Sequence, residues 1–131
     1  MVEKEPKEPE KPVTYKLPPG NYVIGDVLTL AAARLATPWD ADCNQGEAQY
    51  EGLPYVMGRT AHGDGLFRGS NGKMYGVDTG QLGIMDARLA KNPGTMMFGS
   101  RHSFALDVSV DIRRGVFKIS SANMHIEIDT T

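Results

Sequence analysis

The most regular pattern along this chain is the alternation of apolar and polar residues in its last third. In SFALDVSVDI every second residue from Phe104 to Ile112 is apolar, and after RRG the alternation resumes in VFKISSANMHIEID. Successive side chains of a strand point to opposite faces, so a period of two is typical of strands with one buried face. We therefore predict one strand over residues 104–112 and further strands over residues 116–128, with His125 facing solvent.

Shorter extended segments precede these strands. VTYKL, a PPGN turn and YVI predict a hairpin or a strand–turn–strand start, and LPYVMGRTA, GLFRG, GKMYGVD and GQLGIMD predict four more short strands. Alanines and leucines at helical spacing predict a short helix over about residues 29–36, which Pro38 would end. The polar segment DADCNQGEAQYEG predicts a loop.

Together these elements predict a mainly β fold, either a compact small sandwich or a partly open barrel, with about seven to nine short strands and one short helix. The single β-rich domain is expected to span residues 13–131. Residues 1–12 consist mainly of Glu, Lys and Pro and offer almost nothing to bury. They are therefore expected to form a flexible charged arm.

Charge and cysteine content narrow the classes of function. The formal net charge of −2 argues against a protein that neutralises nucleic-acid phosphates, so no nucleic-acid partner is expected. Cys43 is the only cysteine, which excludes an internal disulfide and paired thiolate metal sites. No apolar run approaches the roughly 18 residues of a membrane span, and the chain does not open on a signal peptide. A cytoplasmic protein without a membrane partner is therefore expected.

Glycine and aspartate concentrate in RTAHGDGLFRGSNGKMYGVDTGQLGIMD, residues 59–86. Glycine adopts positive φ without strain, and Asp or Asn side chains bond the nearby backbone. HGDG and SNGK therefore favour type I′ hairpin turns, and Gly65 and Gly80 are expected at positive φ. On this interpretation the glycines and aspartates of the segment serve only to form the tight turns that join short strands.

Asp26 and Asp78 suggest a second interpretation, because each follows an apolar run that would end a strand. If those two strands point the same way, the carboxylates could converge with His62. Carboxylates and an imidazole suit a divalent cation, although the spacing matches neither an EF-hand loop nor an HExxH helix. The alternative is that both aspartates accept backbone N–H bonds inside the fold.

Asp78-Thr79-Gly80 is also the active-site triplet of aspartic peptidases. Here Gln81 follows it where a small residue is usual, and the triplet lies late in the chain rather than near the start of the domain. Peptidase activity is therefore not expected. The sequence also lacks a GxSxG elbow, and Cys43 has no nearby histidine, so a catalytic role is not favoured.

Three stretches of the chain resemble motifs of a family of short bacterial and viral proteins of uncharacterised function. That pattern reads roughly GxYxIGDP, TxxGDGxY and VDSGxIGI, and the matching residues here are 20–26, 60–67 and 77–84. The chain departs from it mildly, with Val27 for proline and Thr79 for serine. The resemblance covers most of residues 17–128 and implies no particular reaction. It singles out the polar residues Asp26, Thr60, Asp64 and Asp78.

Three functional hypotheses follow. The favoured one is a non-catalytic module that binds a small molecule or a peptide, with no cofactor. The second is a structural or assembly protein of a viral particle, found in the host cytoplasm or the virion, whose N-terminal arm contacts a neighbour in a homo- or hetero-oligomer. The third is a metal-dependent hydrolase that uses Asp26, Asp64, Asp78 and His62. The candidate ligand-binding residues are Asp26, Thr60, His62, Asp64, Asp78 and Thr79.

Overall fold

Antiparallel strands form most of the structure, a computed structural model that describes residues 13–31, 35–37, 45–91, 98–122 and 124–131. Eleven strands lie within these residues, more than the number expected from the sequence, together with a one-turn α-helix, α1 (Val27–Leu30), and a 3-10 helix (Ala87–Leu89). The arm predicted at residues 1–12 and Cys43 lie outside the described residues. The strands are β1 (Val13–Leu17), β2 (Gly20–Gly25), β3 (Gln45–Tyr50), β4 (Leu53–Arg59), β5 (Gly65–Arg68), β6 (Met74–Val77), β7 (Gln81–Asp86), β8 (Gly99–Phe104), β9 (Val108–Arg113), β10 (Val116–Ser121) and β11 (Met124–Asp129).

The strands pair into a sandwich. One sheet has the order β1-β9-β10-β11, the other has the order β3-β4-β7-β2-β8, and β5 and β6 form a separate hairpin. The described strands do not close into a barrel, so the mainly β, sandwich-like class predicted from the sequence is confirmed.

The main hydrophobic core lies between the two larger sheets. Ile24 and Ile84 from the five-stranded sheet and Val110 and Ile119 from the four-stranded sheet are all buried in one cluster. The alternation predicted for the last strands is confirmed, because Phe117 and Ile119 are buried while Lys118 and His125 are exposed. Each of these strands therefore has one face in the core and one in solvent.

A second core covers the opposite face of the five-stranded sheet. Val23 and Met85 on that face pack in one cluster with Val27 and Leu30 of α1. Because both faces of the sheet are covered, β2 and β7 contain unbroken buried runs rather than alternating ones. The central strands are thereby fixed rigidly, and residues at their ends are held at defined positions.

Three local predictions need correction. The expected strand over 104–112 is broken at Leu106, which is 59% exposed, because the chain leaves the five-stranded sheet at Phe104 and enters the other sheet at Val108. The segment predicted as a loop contains β3, an edge strand paired only with β4. The helix begins at Val27, where Asp26 caps it, rather than near residue 29; residues 32–34 lie outside the described residues. Of the two alternatives predicted for the start of the domain, strand–turn–strand is confirmed, because β1 and β2 belong to different sheets and do not form a hairpin.

The β5–β6 hairpin is confirmed, but its turn is not of type I′. Gly72 has a φ of +87°, whereas Asn71 does not have positive φ, and type I′ requires it at both central residues. The Gly72 amide instead donates to the Gly69 carbonyl at 2.9 Å, as in a type I turn followed by a left-handed glycine. Gly80 has the expected positive φ of +76°, while Gly65 does not have positive φ.

Candidate functional site

Asp26 is buried and accepts backbone N–H bonds inside the fold, as the alternative interpretation of this residue predicted. Its side chain is 0% exposed and accepts five hydrogen bonds. One carboxylate oxygen accepts from the Asp78 and Thr79 amides, at 2.7 and 3.1 Å, and the Thr29 amide donates to the other at 3.3 Å. The Thr29 and Thr79 hydroxyls complete the set at 3.0 and 2.7 Å. With both oxygens engaged, Asp26 fixes the position of the 78–80 turn and caps α1.

Asp64 and Asp78 lie at the base of the β5–β6 hairpin. Gly65 and Val77 form the last pair of the β5–β6 ladder, so Asp64 and Asp78 lie one residue beyond that pair, on opposite strands. Both residues are exposed. The same two connections, residues 60–64 and 78–80, link the hairpin to the neighbouring strands β4 and β7; we call them the loop pair.

Thr60 holds the loop pair together. Its amide donates to the Gly80 carbonyl at 3.0 Å, which extends the β4–β7 ladder by one position. Its hydroxyl donates to the Gly63 carbonyl at 2.5 Å, and the side chain is largely buried. Thr60 and Asp26 thus support the loop pair from below, and Asp64 and Asp78 face solvent above it.

The sequence-predicted residues therefore meet only in part. Asp26, Thr60, Asp64, Asp78 and Thr79 are brought to one region by the loop pair. Among the described residues, however, no group of three or more His, Cys, Asp or Glu side chains is arranged to hold a metal ion. The metal hypothesis required the Asp26, Asp64, Asp78 and His62 side chains to converge on one cation. Asp26 instead accepts hydrogen bonds from backbone amides and a threonine hydroxyl.

His62 lines a cleft of about 440 Å³ that Asp26, Asp64 and Asp78 do not line. We call this the Thr60 cleft. Its walls come from the end of β4, the 60–64 connection, the β9–β10 turn and the end of the described chain. The lining residues are Gln45, Arg59, Thr60, Ala61, His62, Arg114, Gly115 and Thr131.

Thr130 fixes the floor of the Thr60 cleft. Its hydroxyl accepts from the Ala61 amide at 2.8 Å and donates to the Gly115 carbonyl at 2.7 Å, and the residue is only 1% exposed. A Cβ on Gly115, whose φ is +86°, would lie 2.7 Å from that hydroxyl and 2.8 Å from the Ala61 nitrogen. The 60–64 connection and the β9–β10 turn are therefore held against each other at a separation that requires glycine.

Sequence reasoning missed a polar chain that runs into the sandwich at the β8 edge. The side-chain Nδ2 of Asn71 donates to the Tyr75 hydroxyl at 3.1 Å, the Tyr75 and Ser100 hydroxyls share a hydrogen bond of 2.7 Å, and the Ser100 hydroxyl is bonded to His102 Nε2 at 2.6 Å. Burial lowers the pKa of His102 below its ordinary value. His102 lies in β8, and the only signal in the sequence was the i, i+2 spacing of Ser100 and His102, which puts both side chains on one face of a strand.

Sequence reasoning also missed a second charged constellation, at the far end of β7. Asp86 caps the 3-10 helix and pairs with Arg88 through two side-chain hydrogen bonds of 2.8 and 2.9 Å. These bonds hold the pKa of Asp86 below its usual range. Asp86 resembles the other strand-end aspartates in sequence, but nothing local showed that Arg88 would pair with it.

No family model, curated protein or solved structure matches this chain. The motif resemblance therefore stays a prediction. None of the helices in the described part of the chain has the length and apolar character needed to cross a membrane.

Proposed function

We propose that the chain is a non-catalytic binding module and that the Thr60 cleft takes a small molecule or peptide through an anionic group. The observation that carries the proposal is the charge of the lining. Arg59 and Arg114 contribute two guanidinium groups to the lining, and none of the lining side chains is acidic. The side chains that line the cleft therefore differ in the sign of their charge from the whole chain, whose net charge is −2.

The size and rigidity of the cleft support the same function. A volume of about 440 Å³ falls within the range typical of small-ligand sites. The Thr130 hydroxyl ties two walls together, and Gln45 Nε2 bonds the Ile112 carbonyl at 3.1 Å on a third side. A site that is already ordered loses less conformational entropy when a ligand binds.

The loop pair extends this site rather than forming a separate one. Thr60 belongs to both features, so a ligand seated at His62 lies next to the connection that carries Asp64. We propose that four of the six candidate residues divide into two groups. His62 and Thr60 border the ligand, while Asp26 and Thr79 maintain the loop geometry beneath it.

The test is an NMR titration of labelled protein with inorganic phosphate and with N-acetylglycine, a minimal peptide carboxylate. We expect the amides of Thr60, Ala61 and Gly115 to shift most, and R114A to weaken binding roughly tenfold, since a charge-assisted hydrogen bond contributes about 1.5–3 kcal/mol. R68A, which removes an equal charge from an exposed position on β5, is the matched control.

Two results would contradict the proposal: shifts confined to residues outside the cleft, or equal affinities for R114A and the wild type. The other two hypotheses remain predictions. The assembly hypothesis depends on residues 1–12, which lie outside the described residues. The hydrolase hypothesis needs metal ligation by Asp26, whose oxygens already accept five hydrogen bonds.

A further inference from the structure

A groove crosses the end of the five-stranded sheet opposite to the Thr60 cleft. It consists of two connected cavities of about 530 and 270 Å³ that share Asn21, Tyr22, Ala87 and Arg101. We call it the sheet-end groove. Arg59 at the end of β4 borders the Thr60 cleft, whereas Pro54 at the start of β4 borders the groove. At about 3.3 Å per residue the two features are roughly 15–20 Å apart.

Arg88 is presented to this groove in a fixed orientation. Asp86, only 8% exposed, accepts from the Arg88 amide and Nε through one oxygen, both at 2.9 Å, and from Nη2 through the other at 2.8 Å. The Arg88 side chain is nevertheless 74% exposed. A guanidinium carries five N–H donors in a planar fork, and this pairing uses only Nε and one hydrogen of Nη2. The remaining edge of the fork is pre-oriented to bind a second partner.

The other wall supplies a second cation. Arg101 on β8 lines both cavities, is exposed and forms no ion pair with any described residue. Asp86 is the only acidic residue among those that line either cavity, and both of its oxygens are occupied by Arg88. Two guanidinium groups against one carboxylate leave the groove with an excess positive charge.

The rest of the lining is apolar or already satisfied. Pro18, Pro19 and Pro54 border the larger cavity. The Tyr22 hydroxyl donates to the Pro18 carbonyl at 2.6 Å, so it closes the floor rather than offering a free donor. Burial raises the pKa of Tyr22 above its ordinary value. The groove thus combines a cationic rim with a proline-lined wall.

We propose that the sheet-end groove binds a small organic oxyanion, a carboxylate or a phosphate monoester, whose head lies between Arg88 and Arg101 and whose apolar part contacts the proline wall. Arginine forks recognise such heads through paired, charge-assisted hydrogen bonds. Asp86 removes much of the entropy cost, because it orders Arg88 before the ligand arrives.

The experiment is isothermal titration calorimetry at low ionic strength with phenyl phosphate, benzoate and inorganic phosphate as probes. Phenyl phosphate should bind more tightly than inorganic phosphate, since only the former has an apolar part for the proline wall. R101A should weaken the binding of phenyl phosphate roughly tenfold or more. R88K, which keeps the charge but loses the planar fork, should weaken it as well. R68A is again the matched control, and its affinity should equal that of the wild type.

Several outcomes would overturn the proposal. One is the absence of measurable binding of any probe up to about 10 mM by wild-type protein, which would place any affinity below the weakest range of ordinary ligand sites. Another is an equal loss in R68A and R101A, which would indicate only a general effect of charge. Loss in R114A with full binding in R101A would assign the probes to the Thr60 cleft. Conversely, loss in R101A alone supports the groove and leaves the function proposed for the Thr60 cleft to its own titration. R88A is avoided, because it would leave Asp86 partly buried without its partner.

Discussion

Replacing Asp26 should destabilise the protein more than replacing any other aspartate of the candidate set. Asp26→Ala removes the acceptor for three backbone amides, those of Thr29, Asp78 and Thr79, and for two threonine hydroxyls. The hydroxyls can rotate toward other acceptors. The amides cannot, because the backbone of α1 and of the 78–80 turn fixes their direction.

The magnitude follows from these contacts. A buried donor left without a partner costs about 1–3 kcal/mol, and the Asp78 and Thr79 amides would both be left in that state. Loss of the N-cap adds about 1 kcal/mol. We therefore expect Asp26→Ala to lower the free energy of unfolding by about 3–7 kcal/mol, a large part of the about 5–15 kcal/mol typical of a domain. Asp26→Asn can still accept from the two turn amides but loses the charge, so we expect about 2 kcal/mol.

Urea unfolding followed by circular dichroism measures this difference, provided that the m-values of wild type and variants agree. Asp78→Asn is the matched control, because the exposed Asp78 side chain should change the free energy of unfolding by less than about 0.5 kcal/mol. If Asp26→Asn unfolds at the same urea concentration as wild type, Asp26 does not anchor the turn. If Asp78→Asn is instead the more destabilised variant, the roles of the two aspartates have been assigned the wrong way round.

The remaining predictions concern pH, the core and an exposed corner. Burial lowers the pKa of His102 in the folded state, so the unfolded chain takes up the proton first as the pH falls. The contribution of His102 to the free energy of unfolding should therefore be fully present above about pH 6.5 and be lost as the pH drops through the pKa of the folded state. Urea midpoints from pH 8 to 5 should show this slope in wild type and in His125→Gln but less of it in His102→Gln, and equal slopes in all three would contradict the assignment. Gly83→Ala should cost more than the about 1–3 kcal/mol of ordinary overpacking, because its Cβ would lie 2.0 Å from the Val56 carbonyl oxygen; recovery of a variant with wild-type melting would refute this. Leu106→Ser should shift the free energy of unfolding by less than about 0.5 kcal/mol, and a larger loss would mean that the corner packs against a surface that the described contacts do not include.

The sequence allowed the sandwich class to be predicted because most strands alternate with a period of two. Phe117, Ile119, Ile126 and Ile128 are buried as that pattern requires. The same pattern gave the wrong result at Leu106, where alternation continues through a corner. Where the chain passes from one sheet to the other, the side of the backbone that faces the core changes. An alternating sequence does not show where that change occurs.

Edge position explains the missed strand β3. GEAQY has a composition typical of a loop, but β3 needs hydrogen bonds from only one neighbour, β4. Edge strands tolerate polar and charged residues, which also discourage pairing with other chains. Composition alone therefore could not separate this strand from a loop, because the difference depends on the position of β4.

The aspartates show the same limit at the level of function. Asp26, Asp78 and Asp86 each end an apolar run, yet Asp26 is buried with five donors, Asp78 is exposed and Asp86 orients Arg88. What separates them is what lies beyond the end of each strand. Strand β2 ends next to the 78–80 turn, and β6 ends at the exposed base of a hairpin. Strand β7 ends at a 3-10 helix whose Arg88 side chain donates to the N-cap residue, Asp86. A carboxylate whose oxygens accept from backbone N–H groups, as in Asp26, stabilises the fold. A carboxylate that pairs with an exposed arginine, as in Asp86, can instead orient that side chain toward a ligand. The roles inferred for the two ends of the sheet therefore depend on tertiary neighbours and not on the local sequence. Substitution of Asp26 tests its role through the stability of the fold, and substitution of Arg101 tests the groove through the affinity for an anion.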